Sequence, residues 1–415
     1  MSANAGAELE RLLSKPMFPV EDLRRRFPAL ATDAVYLDGP GGTQVPAEVI
    51  TAVAAAMATS MSNVGGGFQA SRLSEQVVEG ARAAGADLLS ARPDEIVFGP
   101  NMTSITFAVS RAMAEEWQPG DRLVLSALDH DANITPWVRA AQSRRVEVVF
   151  ARIDPVSVSL DLDHLESLID SRTRLVALTA CSNAFGTLVD VATVAKMAQR
   201  VGASTYVDAV HFAPHQRIAV GAMGCDFVVC SSYKFFGPHL GVLWARPELL
   251  ARLPAFKVRP APDQPPGRWE TGTPPFELLA GFTAAVGYLA SIGNGSQPGA
   301  RLDDAFGRIG RYETEIGTRF LAGLPPTVKI YGRPTMGGRV PTFALGISGV
   351  SPQEVAGRLA ESGVYAWAGH YYAVEPMSRL GVLATGGLLR IGLLHINTAD
   401  EVDRVLKELW LIGSS

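Results

Sequence analysis

Between about Glu48 and Arg246, helical spacings of apolar positions alternate with short, almost unbroken apolar runs. That alternation is the pattern of crossover connections in a mostly parallel sheet, whose strands are covered on both faces and so read as apolar blocks. The predicted strands are 95–98, 123–125, 146–150, 175–179, 204–207, 227–230 and 241–245. Seven strands in one layer make a large α/β unit. Most of them run into small or polar residues that open a helix, the place where open α/β sheets bind ligands.

Beyond a loop rich in proline and charge at 259–268 the pattern changes. Residues 303–321 put Phe306, Ile309, Ile316 and Phe320 on one helical face, and strand-like runs follow at 327–331, 341–345, 363–367 and 388–391. The chain closes on a helix with Val402, Val405, Leu406 and Leu409 on one side. This predicts a smaller α+β unit. Ahead of Val35 stand an amphipathic helix (Leu9, Leu12, Leu13) and an FPAL turn. The expected division is an N-terminal segment (1–34) packing with the small domain, a large domain (35–294) and a small C-terminal domain (295–415).

Composition narrows the setting. A chain of 415 residues with 47% apolar residues has material for two cores, and a net charge of −4 excludes a globally basic nucleic-acid binder. Three cysteines, at spacings unlike a zinc site or a redox CxxC pair, point to a reducing, cytoplasmic compartment and no metal centre. Glu8 and Glu10 stand where a signal peptide needs a positive flank and an apolar run. The apolar part of the longest uncharged stretch, 278–293, is shorter than the roughly 18 to 20 apolar residues of a membrane span, so it is expected as a buried helix.

Chemistry gathers at strand ends. FVVCSSYKFFGPHLG (227–241) is an apolar strand ending in small hydroxyls, a lysine and a glycine-rich return. Five of the six lysines (Lys15, Lys196, Lys257, Lys329, Lys407) sit in polar contexts, and Lys234 does not. Desolvation there disfavours the ammonium form and favours an amine nucleophile toward an aldehyde; the competing reading is a lysine that caps a helix or pairs with a carboxylate. In STYVDAVHFAPH (204–215) an apolar strand ends in Asp208, and an unpaired buried carboxylate costs on the order of several kcal/mol. A pyridinium nitrogen would be a suitable partner, with capping of the next helix as the alternative. His211 reads as a satisfied polar contact or as a donor to a ligand oxygen. GPNMTSI (99–105) joins a strand to an apolar helix, where free N–H groups and the Thr103 hydroxyl can hold an anion. A Schiff-base lysine, a carboxylate and a phosphate cradle are what pyridoxal phosphate chemistry asks for.

The series VYLDGPGGTQVP, IVFGPNMTSI, LDHDANITPW, CSNAFGT, VDAVHFAPH, SSYKFFGPHLG and WETGTPPFEL, in this order and spacing, resembles the class V aminotransferase and cysteine desulfurase group of fold-type I pyridoxal phosphate enzymes. The resemblance runs from about Val35 to Asn397. It implies that Lys234 carries the cofactor and shuttles the Cα proton, that Asp208 pairs with the pyridine nitrogen, and that His130 stacks on the ring. Asn183 and His211 would bond the phenolic oxygen, the histidine standing where many relatives have glutamine. Met102 through its N–H, Thr103, Ser231 and Tyr233 fall at phosphate positions. Thr273 falls at the position that reaches the phosphate of the neighbouring subunit, which implies a homodimer with shared sites.

One departure bears on the reaction. In the desulfurase branch a late glycine–histidine–histidine segment supplies the catalytic cysteine, and an arginine shortly before it helps bind the substrate carboxylate. The matching segment here is VYAWAGHYYA (364–373), with Tyr372 at the cysteine position and Trp367 at the arginine position. A phenol, with a pKa of about 10, cannot form a persulfide. Cys225 and Cys230 read as core, and Cys181, just before Asn183, is the one that could approach a cofactor. Arg390, in LLRIGLLHINT (388–398), is the expected clamp for a substrate carboxylate, with an interdomain salt bridge as the alternative and Arg339 as a weaker candidate. The resulting expectation is an aminotransferase acting on an amino acid or a related carboxylate-bearing amine. The alternatives are a desulfurase-like lyase or epimerase using the same cofactor, and a cofactor-binding protein without turnover.

Overall fold

The computed structural model describes residues 18–414. The strands are β1 (Val35–Tyr36), β2 (Ile96–Gly99), β3 (Arg122–Ser126), β4 (Glu147–Ala151), β5 (Thr173–Thr179), β6 (Ser204–Asp208), β7 (Phe227–Ser231), β8 (Gly241–Ala245), β9 (Val328–Tyr331), β10 (Thr342–Ile347), β11 (Val364–Tyr365), β12 (Trp367–Gly369) and β13 (Leu388–Gly392). Seven of them form one sheet in the order β2-β8-β7-β6-β5-β3-β4. The pairs from β7 to β4 are parallel, and β8 lies antiparallel to both β7 and β2. Every strand expected in this region is present, with ends displaced by a residue or two.

Alternation along the central strands feeds two cores. Val176 and Leu178 of β5 pack into one apolar cluster with Val207 and Val228, while Leu175 and Ala177 face the other with Tyr206 and Phe227. All of these side chains are buried. With both faces covered, the polar ends of the parallel strands are where the layer opens to a ligand, and the site lies there. The uncharged stretch forms the buried helix Phe276–Ile292, packed on helices Ala47–Thr59 and Gln69–Leu89. Among the described residues no helix is long and apolar enough to cross a membrane.

The second sheet, β12-β13-β10-β9, is antiparallel throughout and packs with helices Pro298–Gly323 and Ala399–Gly413. Here one expectation needs correction. The run 363–367 is not one strand: β11 pairs in parallel with β1, and β12 leaves that pair to join β13. Val364, Tyr365, Ala366 and Trp367 are all apolar although only Val364 is buried, so the run carries no mark of the change of partner. The pairing Val35 with Val364 ties the start of the chain to its far end. Arg24 reinforces it with a 2.8 Å ion pair to Glu401 and a 2.6 Å bond to the Ile396 carbonyl. Residues 18–34 also touch the region of the large sheet, through Arg26 paired with Glu48 and the Phe27 ring against Phe236. The FPAL turn is the short helix Pro28–Leu30, and the amphipathic segment with Leu9, Leu12 and Leu13 lies outside the described residues.

Candidate active site

A cavity of about 950 Å³ opens at the polar end of the parallel strands, between the two sheets. Its walls include twelve of the thirteen residues singled out in the sequence: Lys234, Asp208, His130, Met102, Thr103, Asn183, His211, Ser231, Tyr233, Trp367, Tyr372 and Arg390. Thr273, the remaining one, is exposed and lies outside this cavity.

The anion cradle is the start of helix Met102–Ala114. Asn101 caps it by accepting the Ser104 N–H at 2.8 Å, and the Met102 N–H donates to Ser231 Oγ at 3.0 Å. The N–H expected to reach a phosphate is thus held by a hydroxyl that also lines the cavity, and an arriving anion would compete with that hydroxyl for it. Gly241 makes the junction possible, because a Cβ there would meet the Asn101 backbone at 2.6 Å.

Lys234 ends the short turn after β7. Its Nζ donates to the Pro40 carbonyl at 2.6 Å and lies 4.8 Å from the Tyr233 ring centre. Burial first, and then the positive charge of Arg390, pull the amine down to about 7, against the opposing pull of Asp208 and Asp38. The LDGPGGT segment is strapped onto this turn: Thr43 bonds the Tyr233 carbonyl and accepts the Phe236 N–H at 2.7 Å. Four of the remaining lysines (Lys196, Lys257, Lys329, Lys407) are outside the cavity, and Lys15 is outside the described residues.

Asp208, at the end of β6, accepts the Val210 N–H at 2.9 Å, and burial raises its carboxyl to about 6. Beside it lies Asp129, which sequence reasoning passed over in favour of its neighbour His130. Asp129 is fully buried, accepts Asn133 Nδ2 at 2.6 Å and the Thr179 N–H at 2.9 Å, and is raised to about 8 by burial and by Asp208. It binds the His130 loop to the end of β5. His130 Nδ1 accepts the Ala132 N–H at 3.0 Å, which leaves the ring proton on Nε2. Burial, together with Lys234 and Arg390, pulls this imidazole down to about 4, so at neutral pH it is an uncharged flat face.

The opposite wall comes from the small sheet. Arg390 on β13 donates from Nη1 to the Asn183 carbonyl at 3.0 Å, and its guanidinium lies 4.3 Å from the Tyr371 ring centre. Asn183 in turn donates to the Tyr371 carbonyl at 2.9 Å. These contacts fix one end of the fork, while Arg390 Nε is buried without a partner. The Nε–Nη2 edge can therefore take a carboxylate in the bidentate manner. Asp38, which neighbours this cation, also keeps a buried oxygen unpaired. His211 is buried and shares a 2.9 Å hydrogen bond with Thr342 of β10. Behind it, His215 pairs with buried Glu313 at 2.8 Å, and His395 bonds the Tyr288 hydroxyl at 2.7 Å.

Several other polar residues have structural duties instead. Arg339 donates to the backbone carbonyls of Phe185 and Thr342 and does not reach the cavity. Asn397 bonds the Tyr36 carbonyl and Glu401. The three cysteines are all buried, with their thiols pushed up by burial. Cys181 lines the cavity, yet its Sγ is turned to the Gly186 carbonyl at 3.4 Å.

The donor set suits an aldehyde cofactor carrying a phosphate and a basic ring nitrogen: an amine of lowered basicity, a buried carboxylate, a capped helix start and a flat neutral ring. The comparisons agree. Residues 35–405 match the family model described as aminotransferase class-V. An aminotransferase-like protein of Gibberella zeae is 29% identical over 96% of this chain and 100% of its own length. A cysteine desulfurase of Serratia proteamaculans is 30% identical over 95% of this chain and 98% of its own. Among solved structures, the apo cysteine desulfurase of Thermococcus onnurineus superposes with a TM-score of 0.88 at 26% identity, over 97% of this chain and 100% of that one.

Proposed function

Because the chain belongs to the aminotransferase class-V family of pyridoxal phosphate-dependent enzymes, we propose that it is an aminotransferase acting on an amino acid or related amine that bears a carboxylate. The observation that carries this reading is the convergence of Lys234, Asp208, the Met102 helix start and the free edge of Arg390 on one cavity. When bound, the cofactor supplies an electron sink for charge developing at the substrate Cα. Asp208 would keep a proton on the ring nitrogen, and His130 would offer its neutral face to the ring. Asn183 and His211 would serve the ring oxygen. The Met102 N–H, Thr103, Ser231 and Tyr233 would hold the phosphate, with Thr273 completing the cradle of a second copy in a homodimer.

Arg390 orients the substrate by its carboxylate, and Lys234 Nζ then takes the Cα proton. An amine near 7 is matched to that task, being neither fully protonated nor too weak a base at neutral pH. Transamination needs only this proton shuttle and the carboxylate clamp, whereas desulfuration also needs a thiolate. The burial of all three thiols supports placing sulfur transfer second. The test is to add each amino acid in turn to the holoprotein and follow its visible absorption and products. Loss of the aldehyde band with release of a keto acid supports the reading. Release of ammonia or sulfide together with the keto acid, with the aldehyde band retained, replaces it with elimination.

A further inference from the structure

Trp367 and Arg390 are directly paired residues of β12 and β13, so their side chains leave the sheet on the same face. Both reach Gly41: a Cβ built there would lie 2.8 Å from Trp367 Nε1 and 3.7 Å from Arg390 Nη2. The indole therefore stands beside the free edge of the guanidinium, in space that a side chain at position 41 would fill. On the other side, Tyr371 and Tyr372 are successive left-handed residues, with φ of 51° and 58°. For bulky residues that conformation is costly and persists only when neighbours enforce it. Two bonds do so: the Asp131 N–H to the Tyr372 carbonyl at 2.8 Å and Asn183 to the Tyr371 carbonyl.

The result is a divergent pair of rings. Tyr371 turns back over Arg390, and Tyr372 lies along His130 with ring centres 5.3 Å apart and planes 24° apart. Trp367 and Tyr372 remain 55% and 65% exposed, large aromatic faces left at the cavity mouth. Among the described residues, Lys234 and Arg390 are the only lysine and arginine of the lining. With Lys234 committed to the chemistry and Arg390 to one carboxylate, a second carboxylate on the substrate meets aromatic rings and no further lysine or arginine.

We propose that Trp367 and Tyr372 form a side-chain subsite that selects amino acids with aromatic or large apolar side chains over dicarboxylic ones. The inference rests on Arg390 holding the α-carboxylate, as in the function proposed above. Arenes stack on such rings, whereas a distal carboxylate gains nothing from them.

The test titrates the holoprotein with phenylalanine, alanine and aspartate and reads half-saturation from the cofactor's visible band. Phenylalanine should half-saturate at least about tenfold below aspartate. Trp367→Ala should weaken phenylalanine by about tenfold and alanine by less than about threefold, and Trp367→Phe should restore most of the difference. Trp367→Arg should turn the preference toward aspartate. Equal affinity for aspartate and phenylalanine in the parent, or equal losses for alanine and phenylalanine in Trp367→Ala, would overturn the subsite while leaving an amino-acid enzyme in place. A band that responds to no amino acid would overturn both.

Discussion

The floor and the wall of the cavity are built by different rules. The floor, at the ends of β5, β6 and β7, is saturated with internal hydrogen bonds: Met102 to Ser231, Val210 to Asp208, Thr179 and Asn133 to Asp129. Its groups sit at or next to strands that are themselves fixed between two cores. The wall, from β12 to Tyr372, is partly exposed, aromatic, and held by left-handed residues and three-way contacts around Arg390. A floor of this kind admits few substitutions without loss of the cofactor, whereas the wall can change residue by residue. On the function proposed above, the choice of substrate would then rest with the wall.

The contrast can be broken most severely at Lys234. Lys234→Ala should abolish borohydride-fixable chromophore and lower turnover by at least about a thousandfold, as removal of a covalent acid–base group does. A reducible visible band of unchanged intensity in that variant would remove Lys234 from its role. Asp208→Asn keeps the shape of the floor but not its charge, and should bind cofactor while losing at least about a hundredfold in turnover. Activity within twofold of the parent would show that the ring nitrogen needs no anionic partner here.

The wall predicts a different signature. Arg390→Lys keeps the charge but not the fork, so substrate half-saturation should rise about tenfold or more while the cofactor band stays in place. Loss of the band together with substrate affinity would make Arg390 part of the floor. Smaller again is an effect on stability. The apoprotein holds Lys234 near 7 against about 10.5 for an unfolded lysine, so the unfolded chain binds the proton more tightly. This group's contribution is therefore most favourable above about pH 10.5 and is lost as pH falls toward 7. Lys234→Met should accordingly melt higher than the parent apoprotein at pH 7, and the gap should narrow at pH 10; a lower melting temperature for the variant at pH 7 would contradict the buried-amine assignment. The least effect belongs to Cys181→Ser, for which keto-acid formation should stay within about twofold, since the thiol only faces a backbone carbonyl. A large loss accompanied by loss of sulfide release would restore Cys181 as a nucleophile.

The floor was legible in the sequence because its residues sit at the ends of apolar blocks. Lys234, Asp208 and the GPNMTSI junction each interrupt a run of buried residues, and a polar group there needs a reason. Asp129 was missed because it lies one residue from His130, and its burial depends on Asn133 and Thr179 rather than on any spacing of its own. Asp38 and Pro40 were missed because their neighbours, Arg390 and Lys234, are distant in sequence. The division of 363–367 between two sheets was hidden for the same reason. A pattern of buried positions reports that a residue is covered, and the identity of what covers it comes only from topology.

The parallel pairing of β1 with β11 has a consequence for the order of assembly. Val35 and Val364 are separated by most of the chain, so this contact is among the last that synthesis from the N-terminus permits. Residues 38–43, which follow β1 directly, bring Pro40 to the Lys234 amine and Thr43 to its turn. A nascent chain halted near residue 330 holds every strand of the seven-stranded sheet, yet its opening strand has nothing to pair with and no partner for Arg24. The lysine pocket is thus completed by the last quarter of the protein, and a ribosome-bound fragment that already holds Lys234, Asp208 and the helix start would still have an unclosed site.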